Sequence, residues 1–168
     1  MIFTYGDVLD TNVHLIAHQV NCKGVMGSGL AKQIRDRYPS VYNIYREYIK
    51  AYYEDYGKIP LGSYQVAYAE DTENGERNIV NIFGQNEYGL DKCYTDYDAV
   101  RRAFKSLDKE FIGTDRYEGD QIPIAIPYGF GCGLGGGNWE KMKEVLKEIE
   151  KETHILFIVY KLETNLTF

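Results

Sequence analysis

Apolar and polar positions along this chain fall into short apolar runs separated by longer amphipathic stretches. Runs at residues 1–5, 15–20, 63–69, 78–83, 121–127 and 155–160 predict strands. The stretches around Ile16-Ala17 and Ile122-Pro123-Ile124-Ala125-Ile126 are apolar without alternation, as expected of strands covered on both faces. Helical spacing predicts helices over 29–38, 40–53, 96–111 and 138–151. In the last, Met142, Val145, Leu146 and Ile149 form one stripe behind Asn138, a suitable N-cap. Pro39 breaks the helical run, so the second helix is expected to start at Ser40. Asn74-Gly75 predicts a hairpin tip within residues 71–76, and residues 113–120 read as a surface loop. Strands alternating with helices imply a three-layer α/β/α sandwich with a mixed, largely parallel central sheet.

Composition narrows the functional classes. The length of 168 residues suits a single domain over 1–168, and 44% hydrophobic residues suffice for a core. Nineteen lysines and arginines against 25 acids leave a net charge of −6, a poor surface for duplex nucleic acid, which needs clustered cations. No apolar run reaches about 18 residues, so a membrane span is not expected. The opening MIFTYGDVLD has two acids and no lysine or arginine, unlike a signal peptide. Cys22, Cys93 and Cys132 are widely spaced and form no CxxC pair, which points to reduced thiols and a cytoplasmic location. His14 and His18 are four apart but lie in a strand-like run, so neither metal nor cofactor is expected. Sixteen tyrosines, many between Tyr38 and Tyr68, read as a half-buried helical surface.

Ligands of open α/β sheets bind beyond the carboxyl ends of the strands, which directs attention to the segments after Val20 and Pro127. Both segments are glycine-rich. One loop runs Asn21-Cys-Lys-Gly-Val-Met-Gly-Ser-Gly29, the other Gly129-Phe-Gly-Cys-Gly-Leu-Gly-Gly-Gly137, each between a buried strand and a helix. Glycine lets the backbone approach a ligand closely, and successive N–H groups at a helix start form an anion nest. Two such loops side by side could hold a diphosphate. Neither fits GxxxxGK[ST], and the second fits G-x-G-x-x-G only with its third glycine displaced.

Gly6-Asp7-Val8, Ala17-His-Gln-Val-Asn21, Gly27-Ser-Gly-Leu-Ala31 and Pro127-Tyr-Gly-Phe-Gly-Cys-Gly-Leu134 together resemble a macrodomain, end to end. The branch they are most similar to includes ADP-ribose-1″-phosphate phosphatases and terminal or DNA ADP-ribose glycohydrolases. The resemblance implies an ADP-ribose site. Asp7 would accept from the adenine amino group while the Val8 amide meets a ring nitrogen, beside Gly6, with Tyr160 lining the pocket. Gln19, Val20 and Met26, Gly27, Ser28, Gly29, Leu30 and Ala31 would hold diphosphate and distal ribose. Gly129, Phe130, Gly131, Cys132, Gly133, Leu134 and Gly135 would close the other side, although Phe130 fits equally well as a core residue anchoring its loop.

For chemistry, the resemblance puts Asn21 beside the distal ribose and His18 as a proton carrier; a capping asparagine and a satisfied core histidine are the alternatives. Cys22 reads as structural. Asp91, Asp96 and Asp98 are further acids, more in keeping with loop and helix-start charges. Two departures bear on activity. Gln85 stands where the glycohydrolase branch has a lysine, and Gly135 where it has an aspartate. The expectation is therefore a hydrolase acting on the 1″-phosphate, with a non-catalytic ADP-ribose reader, or a glycohydrolase working without the lysine, as alternatives. Its partners would be ADP-ribose, its derivatives or ADP-ribosylated macromolecules.

Overall fold

The structure is a computed structural model that describes residues 1–71, 73, 75–117 and 121–163. Six strands form one sheet: β1 (Ile2–Tyr5), β2 (Leu15–Val20), β3 (Tyr64–Asp71), β4 (Gly75–Phe83), β5 (Ile122–Pro127) and β6 (Ile155–Lys161), in the order β1-β6-β5-β2-β4-β3. All neighbouring pairs are parallel except β3 with β4, so the sheet is mixed and largely parallel. Among the described residues four α-helices cover it: α1 (Gly29–Arg37), α2 (Pro39–Tyr56), α3 (Tyr97–Phe111) and α4 (Trp139–Glu152).

Strand pleat sorts the core into layers. Leu15 and Ala17 of β2, Val80 and Ile82 of β4, and Ile122, Ile124 and Ile126 of β5 meet α3 and α4 on one face. There Phe104 lies edge-on to Phe157 with ring centroids 4.9 Å apart. Ile16, Ile79 and Ala125 face the other way, against Ile34 of α1 and Val41 of α2. Near the carboxyl end of the sheet, Val20 and Phe83 pack with Cys22, Met26 and Tyr45 in a third cluster. The central strand is therefore apolar on both faces, as its unalternating run implied.

The helix termini follow the local chemistry. Asp96 caps α3 by accepting from the Ala99 amide, and Asn138 caps α4 by accepting from Lys141. The second helix starts at Pro39 rather than Ser40. Proline's fixed φ suits the first helical turn, where its missing N–H has no partner to lose. That helix also runs on to Tyr56, ending at Gly57 in a left-handed conformation (φ +66°). Gly75 opens β4, paired with Asp71, while Asn74 lies outside the described residues. The loop after α3 is exposed at residues 113–116, as expected, but not at its next residue. Tyr117 is buried and its ring lies 6.1 Å from that of Phe111. Residues 118–120 are outside the described set.

Candidate functional site

Both glycine loops leave the carboxyl ends of adjacent strands, because β2 and β5 are hydrogen-bonded neighbours. Between the loops lies a cleft of about 850 Å³, within the size range of small-molecule sites. Its walls include His18, Gln19, Val20 and Asn21 at the end of β2, and Gly27, Ser28, Gly29, Leu30 and Ala31 at the start of α1. Opposite them stand Gly129, Phe130, Gly131, Cys132, Gly133, Leu134 and Gly135. Val25, Gln85, Tyr88, Leu90, Pro127 and Tyr128 complete the lining. Among the described residues, no lining side chain is a carboxylate, an ammonium or a guanidinium.

The donors are backbone groups instead. Among the described residues, the amides of Gly27, Ser28, Gly129, Gly131, Gly133, Leu134 and Gly135 have no internal acceptor. The first amides of α1 are free by position, and the helix end adds partial positive charge. Gly129 and Gly131 sit at φ +74° and +73°, conformations that turn successive amides toward one side.

Each loop is anchored from beneath. Tyr45, fully buried on α2, donates through its hydroxyl to the Asn21 carbonyl at 2.6 Å and to Asn21 Oδ1 at 2.9 Å. Asn21 Oδ1 also accepts from the Lys23 amide at 2.9 Å, and its Nδ2 donates to the Val25 carbonyl at 2.8 Å. The asparagine therefore caps its own loop, and one Nδ2 hydrogen remains for a ligand. Under the second loop, Gln19 Nε2 donates to Gln85 Oε1 at 2.7 Å and to Thr95 Oγ1 at 2.8 Å. Thr95 Oγ1 in turn donates to the Gly131 carbonyl at 2.7 Å, and Gly135 O accepts from the amides of Tyr94 and Thr95. Gln85 Nε2 is spent on the Glu87 carbonyl.

His18 is buried, with Nε2 2.6 Å from Asn81 Oδ1. Burial pushes its pKa down to about 4, partly opposed by the Asn81 hydrogen bond, so the ring is neutral at pH 7. A proton-carrying role for His18 finds no support in that environment. Cys132 lines the cleft, but desolvation pushes its thiol up to about 11, and it is no ready nucleophile. Burial likewise raises the Cys22 thiol, to about 12.

Of the remaining expected site residues, Gly6, Asp7, Val8, Met26 and Tyr160 lie outside the cleft lining, whereas Phe130 is part of it. Met26 is fully buried beside Tyr45 and Phe83, so it packs the underside of the loop. The Phe130 ring is buried 5.9 Å from that of Phe104, which makes it the core anchor of the second loop. Gly6, Asp7, Val8 and Tyr160 form a separate corner. There Asp7 Oδ1 accepts from the Leu9 amide, Gly6 N donates to Lys161 O, and the Tyr160 hydroxyl lies 2.6 Å from Thr11 Oγ1. Asp96 is a helix cap, Asp98 pairs with Arg101 at 2.7 Å, and Asp91 accepts from the Tyr94 hydroxyl. None of these acids lines the cleft. Among the described residues no group of three or more His, Cys, Asp or Glu side chains is placed to hold a metal.

Sequence reasoning missed Tyr45, Thr95 and the structural use of Gln19 and Gln85. The one signal for the first was present: tyrosines 42, 45, 48 and 52 recur at helical spacing, which marks a stripe turned toward the body of the protein.

The chain is a six-stranded α/β/α sandwich with a two-loop cleft at the carboxyl end of its central strands, lined by backbone amides without an internal acceptor. No family model matches the chain. The chain is 25% identical over 165 residues to an ADP-ribose 1″-phosphate phosphatase of Debaryomyces hansenii, covering 88% of this chain and 89% of that protein. It is 26% identical over 147 residues to a DNA ADP-ribosyl glycohydrolase of Mycobacterium tuberculosis, covering 86% of this chain but 38% of that longer protein. The structure superposes on the macrodomain of Mycobacterium tuberculosis DarG with a TM-score of 0.70 at 23% identity, over 95% of this chain and 97% of that one. The chain has the macrodomain fold.

Proposed function

We propose that this protein binds ADP-ribose in the two-loop cleft and hydrolyses the 1″-phosphate of ADP-ribose-1″-phosphate. The observation that carries the reading is the cleft's array of unpartnered amides at the start of α1 and along residues 129–135, in a wall without an ionised side chain. Such an array suits a diphosphate even in a chain of net charge −6. The likeness to an ADP-ribose 1″-phosphate phosphatase over most of both chains supports the same ligand.

In the reaction, a water oxygen bonds to phosphorus and the bond from phosphorus to the 1″ oxygen breaks, leaving ADP-ribose and inorganic phosphate. The residues present act by holding the substrate. Asn21 offers its remaining Nδ2 hydrogen to a distal-ribose hydroxyl, and the two loops fix the diphosphate. Alignment of this kind can supply about 7 kcal/mol of barrier lowering. Neutral His18 keeps the end of β2 in place through Asn81.

The neutrality of the cleft also favours a second reading, a reader that binds free or macromolecule-linked ADP-ribose without turnover. A glycohydrolase has less to work with. Gln85 is not a nucleophile, and its amide is engaged at both ends. We place the protein in the cytoplasm on its free thiols; no helix among the described residues is long and apolar enough to cross a membrane.

Phosphorus NMR of the protein with ADP-ribose-1″-phosphate separates the readings. Growth of inorganic phosphate, lost in a folded Asn21→Ala variant, is the expected result. Shifted diphosphate resonances without phosphate release would establish the reader. Unchanged spectra would overturn the ligand assignment.

A further inference from the structure

The cleft itself is neutral, yet a cation without a carboxylate lies against its first loop, outside the cleft lining. Arg46 is exposed on α2, next in sequence to the loop anchor Tyr45. Its Cγ and Nε lie 3.6 and 3.9 Å from the point where a Cβ on Gly24 would stand, so the side chain is laid along the loop between cleft-lining Asn21 and Val25. The guanidinium rests 5.6 Å from the centre of the Tyr42 ring, whose hydroxyl donates to the Gly24 carbonyl at 3.2 Å. Ring and loop together hold the arginine in place.

Its neighbours are already neutralised. Arg35, on the same tyrosine ring at 5.9 Å, pairs with Asp36 at 3.1 Å, and Lys23 pairs with Glu87 at 3.6 Å. Among the described residues no carboxylate lies within 4.0 Å of Arg46. In an acidic protein, a guanidinium left unpaired at the edge of an anion-binding loop is placed for an anion from outside.

We propose that Arg46 is a specificity residue that contacts an anionic substituent on the distal ribose. In the phosphatase reading, on which this inference rests, that substituent is the 1″-phosphate. Asn21 is the residue assigned to the distal ribose, and Gly24 lies three residues beyond it on the same loop. A substituent leaving the ribose on that side meets the Arg46 edge. The planar guanidinium can donate two parallel hydrogen bonds to phosphate oxygens, which a point-charge lysine cannot reproduce. Unsubstituted ADP-ribose has no group there and does not sense the residue.

The test is competition by ADP-ribose and by ADP-ribose-1″-phosphate against a fluorescent ADP-ribose analogue, read before turnover accumulates. Wild-type protein should prefer the phosphorylated ligand. Arg46→Gln should weaken that ligand about tenfold, the loss of a charge-assisted hydrogen bond, and leave ADP-ribose within about twofold. Arg46→Lys should fall between. Equal weakening of both ligands in Arg46→Gln, or no change in either, would overturn the proposal. Wild-type protein that binds ADP-ribose yet gains nothing from the added phosphate would overturn it while sparing the cleft assignment. Binding of neither ligand by wild type would remove the cleft assignment and the role of Arg46 together.

Discussion

Removing the Tyr45 hydroxyl isolates the contribution of one anchor to both stability and ligand binding. Tyr45→Phe preserves the ring, which is stacked on Phe83 with centroids 5.8 Å apart and tilted against Tyr42 at 6.3 Å. What disappears is the donor to the Asn21 carbonyl and to Asn21 Oδ1. The two acceptors are affected unequally. Oδ1 keeps the Lys23 amide at 2.9 Å and the Val25 amide at 3.4 Å, whereas the carbonyl loses its hydrogen-bond donor. Leaving one buried carbonyl unsatisfied costs about 1–3 kcal/mol, and the surviving bonds to Oδ1 place the expected loss near about 2 kcal/mol. For a domain of this size that lowers the melting temperature by about 4–8 °C. Burial raises the phenol's pKa, so the hydroxyl is protonated and donating at any pH used for the assay. The binding effect is smaller, because the Asn21 caps on Lys23 and Val25 remain. If the loop then spends about four-fifths of its time out of the binding conformation, ADP-ribose affinity falls about fivefold. Urea unfolding at constant m-value measures the first quantity and calorimetric titration the second. Unchanged unfolding midpoint and unchanged affinity would refute the anchor argument. Lost stability with full affinity would confine Tyr45 to the fold.

The same geometry sets the pH dependence of stability and the cost of filling the glycine loops. His18 is held at a pKa of about 4 when folded and returns to about 6.5 when unfolded, so the unfolded chain binds the extra proton between those values. Stability from this group is full above pH 6.5 and falls as the pH drops, by about 2 kcal/mol at pH 5. Urea midpoints at pH 7 and pH 5 should show that slope, and His18→Gln should flatten it; an unaltered slope in the variant would disprove the assignment. A pair of glycine substitutions separates packing from ligand approach. Gly131→Ala places a Cβ 2.7 Å from Gln19 Oε1 and 3.0 Å from Met142 Cε at φ +73°, and should lose at least about 2 kcal/mol of stability. Gly133→Ala meets nothing within 4 Å and should unfold like wild type, yet weaken ADP-ribose binding by crowding the cleft. Thermal melts and titrations of both variants provide the check.

Local pattern was enough for the elements. The run from Leu15 to Val20 reads as a buried strand because apolar side chains occupy both faces, and the stripe on α4 reads as a helix because one face alone is apolar. The two glycine loops were also legible, since strand, glycines and helix start succeed one another in sequence. What was not legible depends on which distant segments become neighbours. Gln85 and Thr95 reach Gln19 because β4 lies beside β2 and the segment after β4 pairs back through Gln85 and Thr95. No spacing in the chain announces that. Met26 was expected on the cleft because motif alignment places backbone, while the direction of its side chain is set by the cavity beneath the loop. Tyr117, in a loop rich in polar residues, was expected at the surface and is instead drawn under Phe111.

The glycines divide into two kinds once the space around each is considered. At Gly84, Gly131 and Gly135 an added Cβ would come within 2.8 Å of Gln19, Gln85 or Thr95. Those positions are small so that the side-chain platform can lie flat beneath the second loop. At Gly133 nothing stands within 4 Å and the backbone is not left-handed, so open space above a backbone amide is what its missing side chain preserves; Gly29 is equally uncrowded, but its φ of +55° already calls for glycine. The proposed anion site of a chain with a net charge of −6 is built in this way without a cation among the described residues of its wall. The platform side chains fix the loop, the bare glycines leave its amides approachable, and Arg46 stands outside the cleft lining, where its proposed role concerns what the ligand carries rather than the diphosphate itself.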